Sequence, residues 1–265
     1  MATESTTPIL STRELKKSFL GVTAVNGATF DVPRNLITAL IGPNGAGKTT
    51  VVSLISGQIK ADSGSVSIDG TDVSGWPAHR ISQQGLMRTF QLSRELGGMT
   101  VLENLMVSAR RQSGENLLNV FLRPSVVKKE EQALAERALE ILNRYGLYHL
   151  RDSRAQALSG GQKKLLEISR AVIADPKILL LDEPMAGVNP ALIEKIGEYI
   201  IDLRNGGMSI LMIEHNLGIV EKICDNVIVL AEGRTLATGK MSELRENEEV
   251  VRAYLGEVIN ADNGR

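Results

Sequence analysis

Leu36-Ile37-Thr38-Ala39-Leu40-Ile41-Gly42-Pro43-Asn44-Gly45-Ala46-Gly47-Lys48-Thr49-Thr50 is the stretch on which the fold turns. Its first six residues read as a buried strand. The pattern G-x-x-x-x-G-K-[ST] follows at once and runs into a helical pattern through Ser56. Glycines at 42, 45 and 47 let the backbone turn tightly, so that successive N–H groups face phosphate oxygens while a helix N-terminus adds its dipole. Lys48 supplies positive charge for the β and γ phosphates, and the Thr49 hydroxyl is the expected Mg²⁺ ligand, since that ion prefers hard oxygen donors.

A second strand, Ile178 to Leu181, ends in Asp182-Glu183 and is followed by Pro184. An Asp closing a buried strand beside a phosphate loop is placed to join a Mg²⁺ shell. The next carboxylate is placed to orient or deprotonate a water. Together the two motifs point to nucleoside triphosphate hydrolysis. Ser209 to Ile213 and Val227 to Ala231 are further short Val/Ile/Leu-rich runs alternating with helical pattern, which predicts an α/β protein with a largely parallel sheet. Ligands of such sheets sit outside the carboxyl ends of the strands.

Nearer the N-terminus, Ile9 to Lys16, Ala28 to Val32 and Ser65 to Ile68, with the Asp69-Gly70 turn, predict an antiparallel β layer. Between about Thr100 and Ala157 the character changes: Val101 to Arg111 and Lys128 to Tyr145 have helical period with no strand between them, the pattern of an inserted helical lobe. The segment after Lys240 is charged and helical, with Val250, Val251, Tyr254 and Leu255 as a docked face.

Length and composition narrow the classes. A chain of 265 residues, 43% hydrophobic and 23% charged, buries a core without staples. Thirty Lys plus Arg against 31 Asp plus Glu leave a net charge of −1, which lacks the basic footprint of a nucleic-acid binder, and aromatics at 3% are sparse for base stacking. The single cysteine, Cys224, excludes an internal disulfide or a cysteine-built cluster and fits a reducing compartment. The start has no basic, apolar pattern of a signal peptide, and no apolar run approaches a spanning helix.

Leu158-Ser159-Gly160-Gly161-Gln162, just before a helical pattern, completes a set. With the phosphate loop Gly42 to Thr50, Arg88-Thr89-Phe90-Gln91, Asp182-Glu183, the turn Ala186-Gly187-Val188-Asn189 and His215, the chain resembles the ATP-binding cassette family over nearly its full length. The resemblance implies a P-loop NTPase cassette with a RecA-like parallel sheet core, an N-terminal antiparallel β layer and an inserted α-helical subdomain. The expected borders are 1–98 and 158–240 for the core with its β layer, 99–157 for the helical subdomain and 241–265 for a helical tail.

Roles follow from the resemblance. ATP and Mg²⁺ are the cofactors; Gly42, Pro43, Asn44, Gly45, Ala46, Gly47, Lys48, Thr49 and Thr50 bind phosphates, and Phe19 stacks on adenine. Thr49, Gln91 and Asp182 are the metal-side residues, and Glu183, His215 and Gln91 the catalytic ones. A core role is the alternative for Phe19, and an ordinary helix cap for Ser159. Ser159, Gly160, Gly161 and Gln162 serve the nucleotide of a second cassette, a copy of this chain or a related one, in a head-to-tail dimer. Two departures stand out: Asn189 and Asn216 occupy positions where aspartate is common.

With one copy of each motif and no spanning segment, the chain looks like a separate cassette that assembles with two membrane permease chains at the cytoplasmic face of the inner membrane, in a system with a solute-binding protein. Arg88 to Gln91, Met99 to Asn104, the long stretch Ala109 to Lys129, Ile213-Glu214-His215 and Ala253 to Glu257 resemble LivG-type subunits of branched-chain amino-acid importers. The cassette of a lipopolysaccharide exporter shares Tyr254 to Glu257 and Leu150 to Ser153 and is the nearest rival. A soluble cassette ATPase acting on DNA or ribosomes is the other alternative, and it lacks its heptads, tandem cassettes and basic surface.

Overall fold

A computed structural model describes residues 7–89, 96–110 and 112–253. β1 (Leu10–Phe19) and β2 (Val22–Val32) form a hairpin whose two-residue turn, Leu20-Gly21, has positive φ at both positions, the geometry that matches strand twist. Then come β3 (Ile37–Ile41), α1 (Lys48–Ile55), β4 (Ser63–Ile68), β5 (Thr71–Asp72), α2 (Ala78–Gln84) and β6 (Leu86–Arg88). A helical stretch follows with α3 (Val101–Ser108), α4 (Leu117–Leu122), α5 (Pro124–Arg144) and α6 (Gly160–Ile173). The chain continues through β7 (Ile178–Asp182), α7 (Pro190–Asn205), β8 (Ser209–Ile213), α8 (Leu217–Ile223), β9 (Asn226–Ala231), β10 (Arg234–Gly239) and α9 (Met241–Leu244). No described helix is long and apolar enough to cross a membrane.

The chain forms two compact units. The first comprises residues 1–88, 177–184 and 200–265, and the second 89–176 and 185–199. The first holds both sheets: an antiparallel one in the order β2-β1-β4-β5, and a six-stranded one in the order β10-β9-β3-β8-β7-β6. In the latter β9, β3, β8, β7 and β6 are parallel, and β10 closes the edge antiparallel to β9. β3, β7 and β8 are buried at every residue. That is why they read as continuous apolar runs instead of alternating ones. One core cluster joins Val25 and Phe30 of the antiparallel sheet, Val51, Val52 and Ile55 of α1, and Leu40, Leu180 and Ile228 of the parallel sheet. The phosphate-loop helix is therefore clamped by both sheets.

The second unit is helical. Thr100 caps α3 in a reciprocal capping box with Glu103, whose backbone and hydroxyl bonds hold the Glu103 carboxyl below its ordinary pKa. Val101 and Leu105 of α3, Ala138 and Leu142 of α5, and Leu165 and Leu166 of α6 are buried. Tyr145 stacks edge-on against Tyr199 with ring centroids 4.9 Å apart. α6 lies beyond the expected border at 158, yet it packs with α3 and α5 and falls in the helical unit. Its buried face has nowhere else to go.

Candidate active site

The phosphate loop, Arg88, Asp182-Glu183 and His215 all lie at or just past the carboxyl ends of parallel strands in the first unit: β3, β6, β7 and β8 respectively. β3, β8, β7 and β6 are consecutive in the sheet, so all four sets of residues sit at the ends of adjacent strands. This is the sheet edge where ligands of open α/β sheets bind.

Two glycines of the loop have no substitute. At Gly42 a Cβ would sit 2.1 Å from the Leu230 carbonyl oxygen. At Gly47, with φ of +93°, it would sit 2.4 Å from the Ala24 carbonyl oxygen. Gly47 also caps α1, and a glycine offers no side-chain cap bond. The loop is braced by the turn after β9: the Gly233 N–H donates to the Ala46 carbonyl at 3.1 Å, and the Asn26 N–H to the Gly233 carbonyl at 2.8 Å. Lys48 is buried, and its ammonium donates to the carbonyls of Gly42 and Pro43, each at 2.8 Å. It curls over the concavity its own loop makes. Thr49 is exposed and Thr50 half-buried.

Asp182 is buried and its Oδ2 accepts from Arg88 at 2.7 Å. Glu183, next in the chain, adopts a left-handed φ of +48°. Such a conformation costs a non-glycine residue ~1–3 kcal/mol and concentrates at functional positions. It turns the chain so that the Glu183 N–H donates to the Ile213 carbonyl at 3.1 Å while Glu183 Oε1 lies 3.0 Å from His215 Nε2. A carboxylate only accepts, so this contact sets the imidazole proton on Nε2. The His215 backbone N–H donates to Oε2 of the buried Glu214 at 3.2 Å.

Phe19 stands 44% exposed at the tip of the first hairpin, with the Lys17 ammonium 5.4 Å from its ring centre. An exposed side chain does not fit the core alternative. Asn189 Oδ1 accepts from the Leu192 N–H at 2.9 Å at the start of α7, and Asn216 Oδ1 accepts from Gly218 and Ile219 at the start of α8. Both departures from aspartate are helix caps, a task asparagine performs equally well. Gln91 lies outside the described residues, as do Phe90, Tyr254 and Leu255.

The Leu158 to Gln162 motif, the signature of the set, belongs to the helical unit. Ser159 caps α6, accepting from the Gln162 N–H at 3.3 Å, while Gln162 Oε1 accepts from the Ser159 N–H at 2.9 Å. A Cβ on Gly161 would strike Leu192 at 2.0 Å, whereas one on Gly160 would meet nothing within 4 Å. Sequence reading missed Arg88 as a site residue, and the Glu183 backbone conformation with it. No sequence signal marked either, since both depend on the pairing of neighbouring strands.

The ABC transporter family matches residues 25–186, and the branched-chain amino acid ATP-binding cassette transporter family matches residues 234–259. The chain is 44% identical over 248 residues to the probable branched-chain amino acid transport ATP-binding protein LivG of Archaeoglobus fulgidus, covering 94% of this chain and 95% of that one. It is 38% identical to the high-affinity branched-chain amino acid transport ATP-binding protein LivG of Escherichia coli K12, covering 94% and 98%. Among solved structures, a nucleotide-free ATP-binding cassette from an ABC transporter is similar with a TM-score of 0.80 at 37% identity over 94% of this chain and 99% of that one. The ADP conformation of such a cassette is similar with the same score and identity over 95% and 100%.

Proposed function

This chain belongs to the ABC transporter ATP-binding family and is an ATP hydrolase, and from that premise we propose that it powers uptake of branched-chain amino acids or related small solutes through separate permease chains. The observation that carries the catalytic reading is the Glu183–His215 contact of 3.0 Å, between the residue after the buried Asp182 that ends β7 and a residue just past the end of β8, the strand next to that of the phosphate loop. The 234–259 match supports the importer over the exporter.

The uncapped first turn of α1 and the Lys48 ammonium bind the triphosphate, Lys48 exchanging its two loop carbonyls for phosphate oxygens. Glu183 takes the proton of the attacking water, and His215, donating from Nε2, holds that carboxylate in line. The exposed Phe19 ring stacks on the base. No described cluster of three or more His, Cys, Asp or Glu side chains holds a cation alone. That suits Mg²⁺, whose remaining ligands come from phosphates and water; Thr49 and Asp182 are the protein oxygens that fit it, with Gln91. Bound there, Mg²⁺ neutralises charge on the β and γ phosphates. Ser159 and Gly160 complete the site of a second cassette packed head to tail, and that closure, at the cytoplasmic face of the inner membrane, drives two permease chains fed from the other side by a periplasmic or extracellular solute-binding protein.

Glu183→Gln tests the reading. ATP binding is expected to persist and a nucleotide-held dimer to accumulate, while turnover falls ~10²- to 10⁴-fold, the usual worth of a positioned base. Unchanged turnover, followed by phosphate release, removes Glu183 from that role.

A further inference from the structure

Arg88 closes β6, the strand beside β7, and its side chain is only 9% exposed. One end, Nη2, donates to Asp182 Oδ2 at 2.7 Å. The other, Nη1, donates to Gln58 Oε1 at 2.8 Å, Ser56 Oγ at 3.1 Å and Ser53 Oγ at 3.3 Å, at and just beyond the last turn of α1. Ser56 is itself fixed, donating to the Val52 carbonyl at 2.8 Å. Nε is buried with no acceptor among the described residues. A guanidinium held by three neutral oxygens on one side and a carboxylate on the other is pinned. It does not swing in and out as a loose stand-in.

The arrangement is costly. A buried ion pair commonly does no better than apolar side chains of the same volume, and an unsatisfied N–H adds to the cost. Stability alone does not account for it. Electrostatics does: Asp182 and Glu183 put two carboxylates at the sheet edge where a triphosphate carrying several negative charges binds. With no cation present, those charges repel.

We infer that Arg88 is the positioning residue and fixed counter-charge of Asp182, orienting its carboxylate through Oδ2 and holding the site close to neutral so that nucleotide binds before the metal completes it. The inference rests on the assignment of the phosphate loop and Asp182 to nucleotide made above. It separates Arg88 from a simple strut between β7 and α1. A strut supports the loop equally whether or not Mg²⁺ is present, whereas a counter-charge matters most without it.

The test is the equilibrium affinity of the full chain for ATP, measured once in EDTA and once in excess Mg²⁺. In Arg88→Met the metal-free affinity is expected to fall about tenfold and the Mg²⁺-supported affinity by less than about threefold, with Arg88→Lys recovering most of the metal-free loss. Equal losses in both conditions, or no loss in either, overturn the inference while leaving the nucleotide site in place. Failure of the unsubstituted chain to bind nucleotide takes down both. If Arg88→Met does not fold, Asp182→Asn reads the same coupling from the other side. Arg88 then stands uncompensated, and metal-free ATP affinity is expected to rise several-fold; an unchanged or lower value overturns the inference.

Discussion

The chain builds a glycine-rich turn into a helix twice, and the two differ in who satisfies the first helical N–H groups. At α1 the cap is Gly47, left-handed and without a side-chain bond, so the first turn is left for a ligand. At α6 the cap is Ser159, and a reciprocal box with Gln162 satisfies the turn from within. The first end is braced by the β9–β10 turn of its own unit. The second is a finished helix end, and what it offers outward is a hydroxyl and the open face at Gly160. Similar spelling thus yields a primary site and an accessory one, and cap chemistry makes the distinction.

The sharpest way to break this contrast is Gly47→Ala. The added methyl meets a backbone oxygen at 2.4 Å in a conformation hostile to L side chains. A stability loss of ~3 kcal/mol or more is expected, with nucleotide binding lost alongside. A thermal midpoint within a degree or two of the parent would show that the loop relaxes freely and is not braced. Ser159→Ala is expected to cost about 1 kcal/mol through the lost cap and to leave ATP affinity of the single chain intact, with turnover of the assembled pair reduced. An equal fall in single-chain affinity would place the signature in its own nucleotide's site. Gly160→Ala is expected to change stability by less than ~0.5 kcal/mol, since nothing lies within 4 Å, yet to lower turnover by blocking the approach of a partner's phosphate. Full activity in that variant would leave the open face without a purpose.

Strands that are buried on both faces announced themselves, because Leu36 to Ile41, Ile178 to Leu181 and Ser209 to Ile213 are unbroken apolar runs. β10 and β6 did not. The first is a half-exposed edge of mixed residues, Arg234 to Gly239, and the second is only three residues long, so neither carries a periodic signal. At the site, residue identity was legible wherever a motif spelled it. Conformation was not: the left-handed turn at Glu183 that brings its carboxylate to His215 is set by the adjacent strand β8, some thirty residues on. Arg88 was hidden for a related reason, since its role exists only when β6 and β7 lie side by side.

The brace behind the phosphate loop has a consequence for how the protein is born. β3 takes its two neighbours, β8 and β9, from the last quarter of the chain, and Gly233 reaches back to Ala46 from the turn beyond them. A ribosome therefore releases Gly42 to Thr49 long before anything exists to hold those residues in shape. The growing chain carries the full spelling of the loop without its cradle, and only when the β9–β10 turn has emerged does the loop acquire its final curvature. Non-local closure of this kind is slow to form. Here it also delays the ability to capture nucleotide until the β9–β10 turn has been made.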